Sequence, residues 1–500
     1  MTDVSLMQGN AVVARSRFTS FVRERWGELA LWIAMLGWSA AVFALVRSYF
    51  LGFRFGRYDL GNMVQAVWST AHGRPLETTL GSGEQVSRLA AHADPILVAL
   101  APLWLLAPNP LTLAAVQIGA CALGALPVFW LGRRHLGCQN AALLLALAYL
   151  SYPWLVWTAL DAMHPVTLAI PLFLYAIWFL DVNRLWAFAV CAVLVAGTGE
   201  LMGLALAGLG LWYWLARDRR RTGLIIAAAG FAWTVVAVKV IIPIFQGGDS
   251  PFYSYYEAVG GSPGGVVRTL LTDPAAIARA IGTGADLVYV FALSFPLAGA
   301  FFLAPGLAAA TLPQLAANGL SSIAAATDPR GHHIAGIIPF LIAGTILGIA
   351  RLPSGRRMQA ASAVLVLCIG FTVAFGPWPA LRQEPLWPYG TPTADHAEAL
   401  RDAVALVPNG APVASTNKAG AHLSARRYFY SIPKIGKASW LVIDMRDAWV
   451  PLRPREPIRT SWGREDSALL ASFKARIEQS ADWEKIREAG GVSVFRRVQS

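Results

Sequence analysis

The sequence predicts a polytopic, all-α membrane protein with a small α/β domain at its C-terminal end. Of its 500 residues, 56% are hydrophobic and only 14% are charged, whereas soluble globular proteins carry about 25% charged residues. The apolar residues form runs long enough to cross a bilayer. The 19 Trp residues are typical of membrane interfaces. These observations exclude a soluble, disordered or coiled-coil protein.

The charge distribution predicts how the chain begins in the membrane. The net charge is +12, but the positive residues stand in short loops between apolar runs, which does not indicate nucleic-acid binding. The basic residues 1–28 are expected in the cytoplasm. The apolar run from Leu29 to Phe50 is too long for a cleavable signal peptide, so we expect an uncleaved first span.

About eleven spans are expected within residues 29–377, with long outside loops at 51–94 and 246–286. An amphipathic helix over Leu60–Ala71 could lie on the membrane surface, and Pro95–Leu106 is too short to span. An odd number of spans places the C-terminus outside, and every Arg cluster between spans then falls on the cytoplasmic side. The later spans are expected at residues 111–131, 141–160, 165–180, 185–195, 201–215, 223–244, 287–304, 306–323, 334–350 and 360–375.

Residues 378–500 have ordinary charge density and no run of span length, which predicts an extracytoplasmic α/β domain. We expect helices at residues 394–407 and 466–479, and strands at 411–415, 440–444 and 491–496. The four cysteines, Cys121, Cys138, Cys191 and Cys368, are too few and too apolar in setting for a disulfide framework, so we expect buried thiols.

Ionisable residues recur where the predicted spans meet the outer face. Such residues are costly in lipid, so each is a functional candidate. The candidates are Arg54, Arg57 and Asp59 with Asn62; His92 and Asp94; Asp161 and His164; Glu200; Lys239; and Asp328, Arg330, His332 and His333.

Structural interpretations remain open for these residues. Asp59 and Asp94 could cap the helices that follow them, and Glu200 could simply be solvated. Lys239 could reach the interface along its aliphatic stem or bind a lipid phosphate. His164 precedes Pro165 at a helix N-terminus, which suits an anionic ligand. No Walker motif, GxSxG, HExxH or CxxC is present.

Several segments resemble the GT-C superfamily of polytopic glycosyltransferases, and more closely a bacterial family of predicted membrane proteins of unknown function with GT-C-like character. The matching segments are residues 58–62 (YDLGN), 65–68 (QAVW), 72–74 (HGR), 92–97 (HADPIL), 161–165 (DAMHP), 241–243 (IIP), 333–339 and 421–427 (AHLSARR). The resemblance departs at Gly199-Glu200, where many members of the close family carry a basic–acidic pair.

The resemblance implies an inverting glycosyltransferase of the bacterial plasma membrane that uses a polyprenyl-phosphate-linked sugar and an envelope acceptor. It implies Asp59 as the catalytic base, with Asp161 as a second catalytic acid nearby. Some members bind a divalent cation and some do not. The substrate-binding candidates are Arg57, Lys239, Arg330 and His332 toward the phosphate, with His333 in the same loop, and His92, Asp94, His164 and Glu200 toward the sugar or a metal.

Two other function classes stay open on the residues alone. A transporter or lipid-handling protein also uses intramembrane acids and histidines, but carriers usually show inverted repeats and helices broken at mid-membrane. No internal repeat is visible here, and the polar residues gather at one face, which favours an enzyme. A noncatalytic scaffold whose outer domain binds glycan would tolerate substitution of the acids.

Overall fold

The computed structural model describes residues 2–161, 163–378, 392–451 and 463–498, and the side chains of residues 2–24, Asp59, Pro251 and Pro451 fall outside that description. The α-helices are α1 (Thr2–Leu51), α2 (Asn62–Ala71), α3 (Ala101–Leu106), α4 (Pro110–Leu123), α5 (Ala125–Leu136), α6 (Gln139–Leu150), α7 (Pro153–Leu160), α8 (Ala169–Asp181), α9 (Leu185–Ala196), α10 (Met202–Arg217), α11 (Arg220–Val236), α12 (Ile242–Gln246), α13 (Pro263–Thr272), α14 (Pro274–Ile281), α15 (Gly284–Ser294), α16 (Pro305–Ala308), α17 (Leu312–Gly319), α18 (Ile338–Ala350), α19 (Ser354–Phe375), α20 (Ala394–Ala405), α21 (Gly420–Leu423) and α22 (Ser467–Gln479). The strands are β1 (Glu77–Thr79), β2 (Gln85–Ser87), β3 (Val413–Ser415), β4 (Phe429–Ser431), β5 (Trp440–Asp444), β6 (Trp449–Pro451), β7 (Gly463–Glu465), β8 (Trp483–Ala489) and β9 (Val492–Arg497).

The described part of the chain contains four helices long and apolar enough to cross a membrane, or up to six if each bent helix pair is one span. The four are Arg25–Leu51, Pro110–Leu136, Arg220–Gln246 and Ser354–Phe375. The bent pairs are α6 with α7, at 46°, and Pro274–Ile281 with Gly284–Leu297, at 57°. Four shorter apolar helices, Pro95–Leu106, Pro165–Asp181, Leu185–Ala196 and Ile338–Ala350, accompany them. A count of eleven spans therefore stays a prediction.

Two expectations about the helices are wrong. Residues 306–323 do not form one span, because the chain there divides into α16, a 3-10 turn and α17, with prolines at the start of each helix. The predicted surface helix over Leu60–Ala71 exists as α2, but it is not a surface helix. Its side chains at Met63, Val64 and Val67 are buried in the main core.

Glycines hold helices α10 and α11 in close contact. A Cβ atom at Gly203 would lie 2.3 Å from the carbonyl oxygen of Gly230, and one at Gly210 would lie 2.6 Å from that of Gly223. Small residues that let backbones approach in this way are typical of helix pairs in membranes. The α10–α11 hairpin therefore depends on side chains being absent at these positions.

The C-terminal sheet region (residues 392–498) is a small α/β structure. Its five strands run in the order β4-β3-β5-β9-β8, with β4, β3 and β5 parallel and the β5–β9 and β9–β8 pairs antiparallel. Helix α20 packs on one face and α22 on the other. Strands β3, β5 and β9 and helices α20 and α22 lie where the sequence predicts them, whereas β4 and β8 were not predicted.

The C-terminal sheet region docks on the end of α1 through a buried histidine. The His422 ring stacks between Phe50 and Phe53, with ring centroids 4.0 and 4.1 Å away, and its Nε2 atom donates to the carbonyl oxygen of Phe50 at 2.9 Å. Burial lowers the pKa of His422 to about 4, so the ring is neutral near pH 7. This contact places the sheet region next to the first loop (residues 51–94).

We expect Gly203→Ala to lower the stability of the fold by about 1–3 kcal/mol, because the added methyl group overlaps backbone atoms of α11. The measurement is the thermal unfolding midpoint of the purified protein in detergent. Gly37→Ala is the control, since a Cβ there meets nothing within 4 Å and alanine favours helix. Equal midpoints for the two variants would contradict the close packing of α10 on α11.

Candidate functional site

Asp161 stands at the end of α7, where a glutamine from a neighbouring helix holds the following turn. The Gln117 side chain, buried in α4, donates to the carbonyl oxygens of Asp161 at 2.7 Å and Thr158 at 3.2 Å. Its Oε1 atom accepts the backbone N–H of His164 at 2.9 Å. Because the Gln117 amide binds both ends of the turn, it fixes the backbone that carries the Asp161 and His164 side chains.

Asp161, His164 and His332 come together from sequence positions 171 residues apart. The His332 Nδ1 atom lies 3.0 Å from Asp161 Oδ2, and the His164 Nδ1 atom lies 3.6 Å from the same oxygen. The two imidazole rings stack, with centroids 3.7 Å apart. The ring of His333 lies 4.4 Å from that of His332, so the two neighbouring imidazoles are in contact.

This cluster has the composition of a divalent cation site. One ligand atom from each of Asp161, His164 and His332 lies within 4.8 Å of the other two. Burial and the nearby charges of His92 and Arg88 lower the pKa of His332 to about 3, so its ring is neutral and able to coordinate. Mixed imidazole and carboxylate donors suit zinc, manganese and related metals, and three protein ligands leave positions for substrate.

His92 and Glu200 form a second pair at the same end of the molecule. The His92 Nδ1 atom lies 3.1 Å from Glu200 Oε1, and the Ala93 N–H donates to Glu200 Oε2 at 3.1 Å. Burial alone would raise the pKa of Glu200, but His92 and these hydrogen bonds lower it below its usual value. Glu200 is therefore an ionised, partnered carboxylate and not a simply solvated one. Phe252 covers the His92 ring, with centroids 4.5 Å apart.

Asp94 has a buried ion-pair partner that the sequence analysis missed. Arg88 Nε donates to Asp94 Oδ2 at 2.8 Å, and the two side chains are only 9% and 3% exposed. Asp94 stands at the N-cap position of the 3-10 turn Pro95–Leu100 but makes no capping hydrogen bond. Burial raises the pKa of Asp94 against the opposing effect of Arg88. The capping interpretation is wrong, because the carboxylate points to Arg88.

The cluster of Asp161, His164 and His332 lies close enough to the His92–Glu200 pair for their charges to interact. The charges of His92 and Arg88 both act on His332, and that of His92 acts on His333, where burial lowers the pKa as well. The loop that carries His92 also docks on the α9–α10 turn, since the Ile96 N–H donates to the Gly197 carbonyl oxygen at 2.9 Å. We call Asp161, His164, His332, His92 and Glu200 together the polar cluster.

Asp59 lies in the π-helical turn Arg57–Gly61, and its side chain is outside the described part of the structure. Gly61, and not Asp59, occupies the N-cap position of α2. The predicted catalytic role of Asp59 is therefore not tested by the geometry.

Arg57 faces the C-terminal sheet region and not the polar cluster. Its side chain is 1% exposed and donates to Ser431 Oγ and to the Thr79 carbonyl oxygen. The guanidinium also lies over the Phe429 ring, 4.9 Å from its centroid. Its contacts therefore lie at the edge of the C-terminal sheet, and its predicted role toward a phosphate stays a prediction.

The remaining candidates have local partners. Arg330 Nη2 lies 2.6 Å from Asp328 Oδ2, and Lys239 Nζ lies 5.2 Å above the Tyr253 ring. The carbonyl oxygen of His333 accepts from Asn318 Nδ2 at 3.1 Å. These contacts leave their predicted roles in phosphate binding untested.

Sequence reasoning missed Gln117 and Arg88. Gln117 stands within an otherwise apolar span, and a polar side chain in such a setting is a signal for an interior hydrogen bond. Arg88 stands six residues before Asp94 in an irregular loop, where no periodicity predicts which charges meet.

Comparison with known proteins identifies the fold. The family of predicted membrane proteins designated DUF2079 matches residues 52–494. The solved structure of ArnT from Cupriavidus metallidurans bound to undecaprenyl phosphate is similar over 94% of this chain and 98% of ArnT, with 13% sequence identity and a TM-score of 0.51. The apo state of the same ArnT matches over 93% and 98%, with 13% identity and a TM-score of 0.49. No curated protein matches the chain.

The similarity to ArnT confirms the expected GT-C-like architecture over nearly the whole chain. Together with the family match and the apolar helices, it confirms a multi-pass membrane protein.

We expect Arg88→Met to destabilise the protein by about 3–5 kcal/mol, because it leaves the Asp94 carboxylate buried without its partner. The measurement is the thermal unfolding midpoint. Arg74→Met is the matched control, since Arg74 pairs with Glu77 in a more exposed position of the same loop. Adding Asp94→Asn to Arg88→Met should recover part of the loss. A midpoint as high as that of the control would argue against the buried pair.

Proposed function

The chain belongs to the DUF2079 family of predicted membrane proteins, and we propose that it is an inverting GT-C-type glycosyltransferase. It would transfer a sugar from a polyprenyl-phosphate donor to an envelope glycan, lipid or protein acceptor on the outer face of the bacterial plasma membrane. The observation that carries the proposal is the polar cluster, in which loops of a GT-C-like bundle bring Asp161, His164 and His332 together. Undecaprenyl phosphate bound to ArnT supports the donor class.

The chemistry needs a base and positive charge, and little else. The acceptor hydroxyl oxygen attacks the anomeric carbon, its proton passes to a carboxylate, and the bond from that carbon to the phosphate oxygen breaks. The electron pair leaves with the lipid phosphate, which is a fair leaving group without a strong general acid. A single displacement of this kind inverts the anomeric carbon. The demands on the protein are general-base catalysis and stabilisation of the departing phosphate.

We assign the base to Asp59, which follows Arg57 in the first loop, next to the edge of the C-terminal sheet region. The resemblance to GT-C enzymes supports this assignment. Asp161 is the second acid, and its hydrogen bond to His332 supports a role in ordering the site. Arg57, Lys239, Arg330 and His332 remain candidates for the phosphate side, with His333 in the same loop.

The polar cluster would hold a divalent cation through Asp161, His164 and His332. When bound, the cation would add positive charge next to the leaving phosphate. His92 and Glu200 would hydrogen-bond sugar hydroxyls beneath Phe252. Asp94 is assigned a positioning role, because Arg88 already occupies its carboxylate.

Two bent helix pairs favour a second candidate, a transporter or lipid-handling protein without transferase activity. Breaks of 46° and 57° interrupt helices of span length, and broken helices are typical of carriers. This candidate predicts lipid binding without sugar transfer.

We expect Asp59→Asn to reduce sugar transfer by about 10²–10⁴-fold, because the acceptor proton then lacks its base. The measurement uses the purified protein with radiolabelled polyprenyl-phosphate sugars and envelope acceptors. Glu84→Gln, an exposed acid of the same loop, is the control and should transfer at the wild-type rate. Undiminished transfer by Asp59→Asn would contradict the base assignment. Absence of turnover with every donor, with equal lipid binding by both proteins, would favour the transporter.

We expect Asp161→Asn to lose a bound divalent cation, since it removes the carboxylate shared by His164 and His332. The protein is dialysed against zinc or manganese, washed, and assayed by elemental analysis. Asp328→Asn, which pairs with Arg330, should keep the cation. A cation content equal in Asp161→Asn and wild type, or near zero in both, would remove the cation from the proposal.

A further inference from the structure

The carboxyl ends of β3 and β5 form a crevice at the centre of the C-terminal sheet. Strand β3 lies between β4 and β5, and the next strands after β5 in this sheet, β8 and β9, lie on its far side. The chain therefore leaves β3 toward one edge of the sheet and leaves β5 toward the other. In parallel sheets, ligands bind where the connections diverge in this way, outside the carboxyl ends of the strands.

Lys418 lies in this crevice, three residues after the end of β3. Its backbone N–H donates to Asp447 Oδ2 at 2.6 Å, which ties the loop after β3 to the loop after β5. The residue is only 4% exposed. Among the residues that the structure describes, nothing forms a hydrogen bond or an ion pair with its ammonium group. A lysine that is mostly buried and whose ammonium group has no described protein partner can give an anion a charge-assisted hydrogen bond.

Asn417 adds an unsatisfied donor next to Lys418. Its Oδ1 atom accepts the Arg57 N–H at 2.9 Å, which fixes the amide so that Nδ2 points away from that N–H. Nδ2 is buried and has no hydrogen-bond partner within the described ranges. It lies against the backbone of the first loop, because a Cβ at Gly56 would be 2.5 Å from it.

Arg57 completes the group with a second buried cation. Its terminal nitrogens donate to the neutral oxygens of Ser431, Thr79 and Tyr58, and its Nε is buried without a partner in the part of the chain described. Since Asn417 accepts the backbone N–H of Arg57, the loop that carries Lys418 lies directly against the first loop at Arg57. No carboxylate with a described side chain forms an ion pair with either cation.

Among the described side chains, the acids near the crevice form no ion pair with these cations, although the charge of Lys418 acts on Asp447. Asp444 is already bound to His396, whose Nε2 lies 2.9 Å from its Oδ2. Burial raises the pKa of Asp447 to about 7, so it carries only part of a negative charge near neutral pH. Within the described side chains, the crevice therefore holds two cations without an ion-pair partner and two buried donors, Asn417 Nδ2 and Arg57 Nε, without an acceptor.

We infer that the crevice between the first loop and the C-terminal sheet region binds a phosphate group through Lys418, Asn417 and Arg57. A phosphate offers the negative charge and several acceptor oxygens that these donors need. The phosphate could belong to a polyprenyl phosphate or to a soluble or acceptor-borne phosphomonoester. None of these three residues belongs to the polar cluster, and the existence of the site does not require the proposed transferase activity.

The test is equilibrium binding of ³²P-labelled inorganic phosphate to the full-length protein in phosphatidylcholine nanodiscs, in phosphate-free buffer. We expect saturable binding by wild type, and a loss of at least about tenfold in affinity for Lys418→Met, since a charged hydrogen bond is removed. Lys434→Met, an exposed lysine of the same region, should bind as wild type does. Lys418→Arg should retain binding and so shows that the position tolerates substitution.

Competition separates the two sources of the phosphate. Displacement of the label by undecaprenyl phosphate supports a lipid ligand, and displacement by glycerol 3-phosphate alone supports an acceptor-borne one. Absence of saturable phosphate binding by wild type, or equal affinity of Lys418→Met and Lys434→Met, would overturn the inference. Both results are independent of sugar transfer, so failure here is distinguishable from failure of the proposed function.

Discussion

A charge that leaves water must find its partners inside the protein, and this constraint decides how the loop end of the helical bundle is built. Asp94 is bound by Arg88, Glu200 by His92, and Asp161 by His332. Two of these pairs join segments that are far apart in the sequence, and the Arg88–Asp94 pair joins two positions within the first loop. The helices supply the apolar frame, but the polar pairs determine which loop lies against which helix end, and so where a substrate can bind.

The fold could be predicted where burial sets a period or a length. Apolar runs located α1, α4, α18 and α19, and short buried runs located β3 and β5. Prediction failed where proline and glycine interrupted a mainly apolar run, as at residues 306–323, which the structure divides between α16 and α17. Mean hydropathy depends on the composition of a segment and does not show where a helix is interrupted. Strand β8 was not predicted, because its residues are mostly exposed and charged and show no alternation of apolar and polar side chains.

The candidate site was predicted in its residues but not in its pairings. Rarity of charge in an apolar chain was enough to select Asp161, His164, Glu200 and His332. The contacts between these side chains span 108 or 171 residues of sequence. The local spacing of residues does not predict contacts over such separations. Arg57 illustrates the limit, since its partners are Thr79, 22 residues further along the first loop, and Ser431, 374 residues away in β4.

The bond between Arg57 and Ser431 spans 374 residues, and this separation sets an order of events during synthesis. The first loop emerges early, yet the acceptors that enclose its arginine are made only near the end of translation. At about 5–20 residues per second, the loop waits on the order of 20–75 seconds. During that interval Arg57 remains hydrated, and the pocket around it closes last. The chain therefore assembles its membrane bundle first and completes its phosphate-facing surface as a late step of maturation.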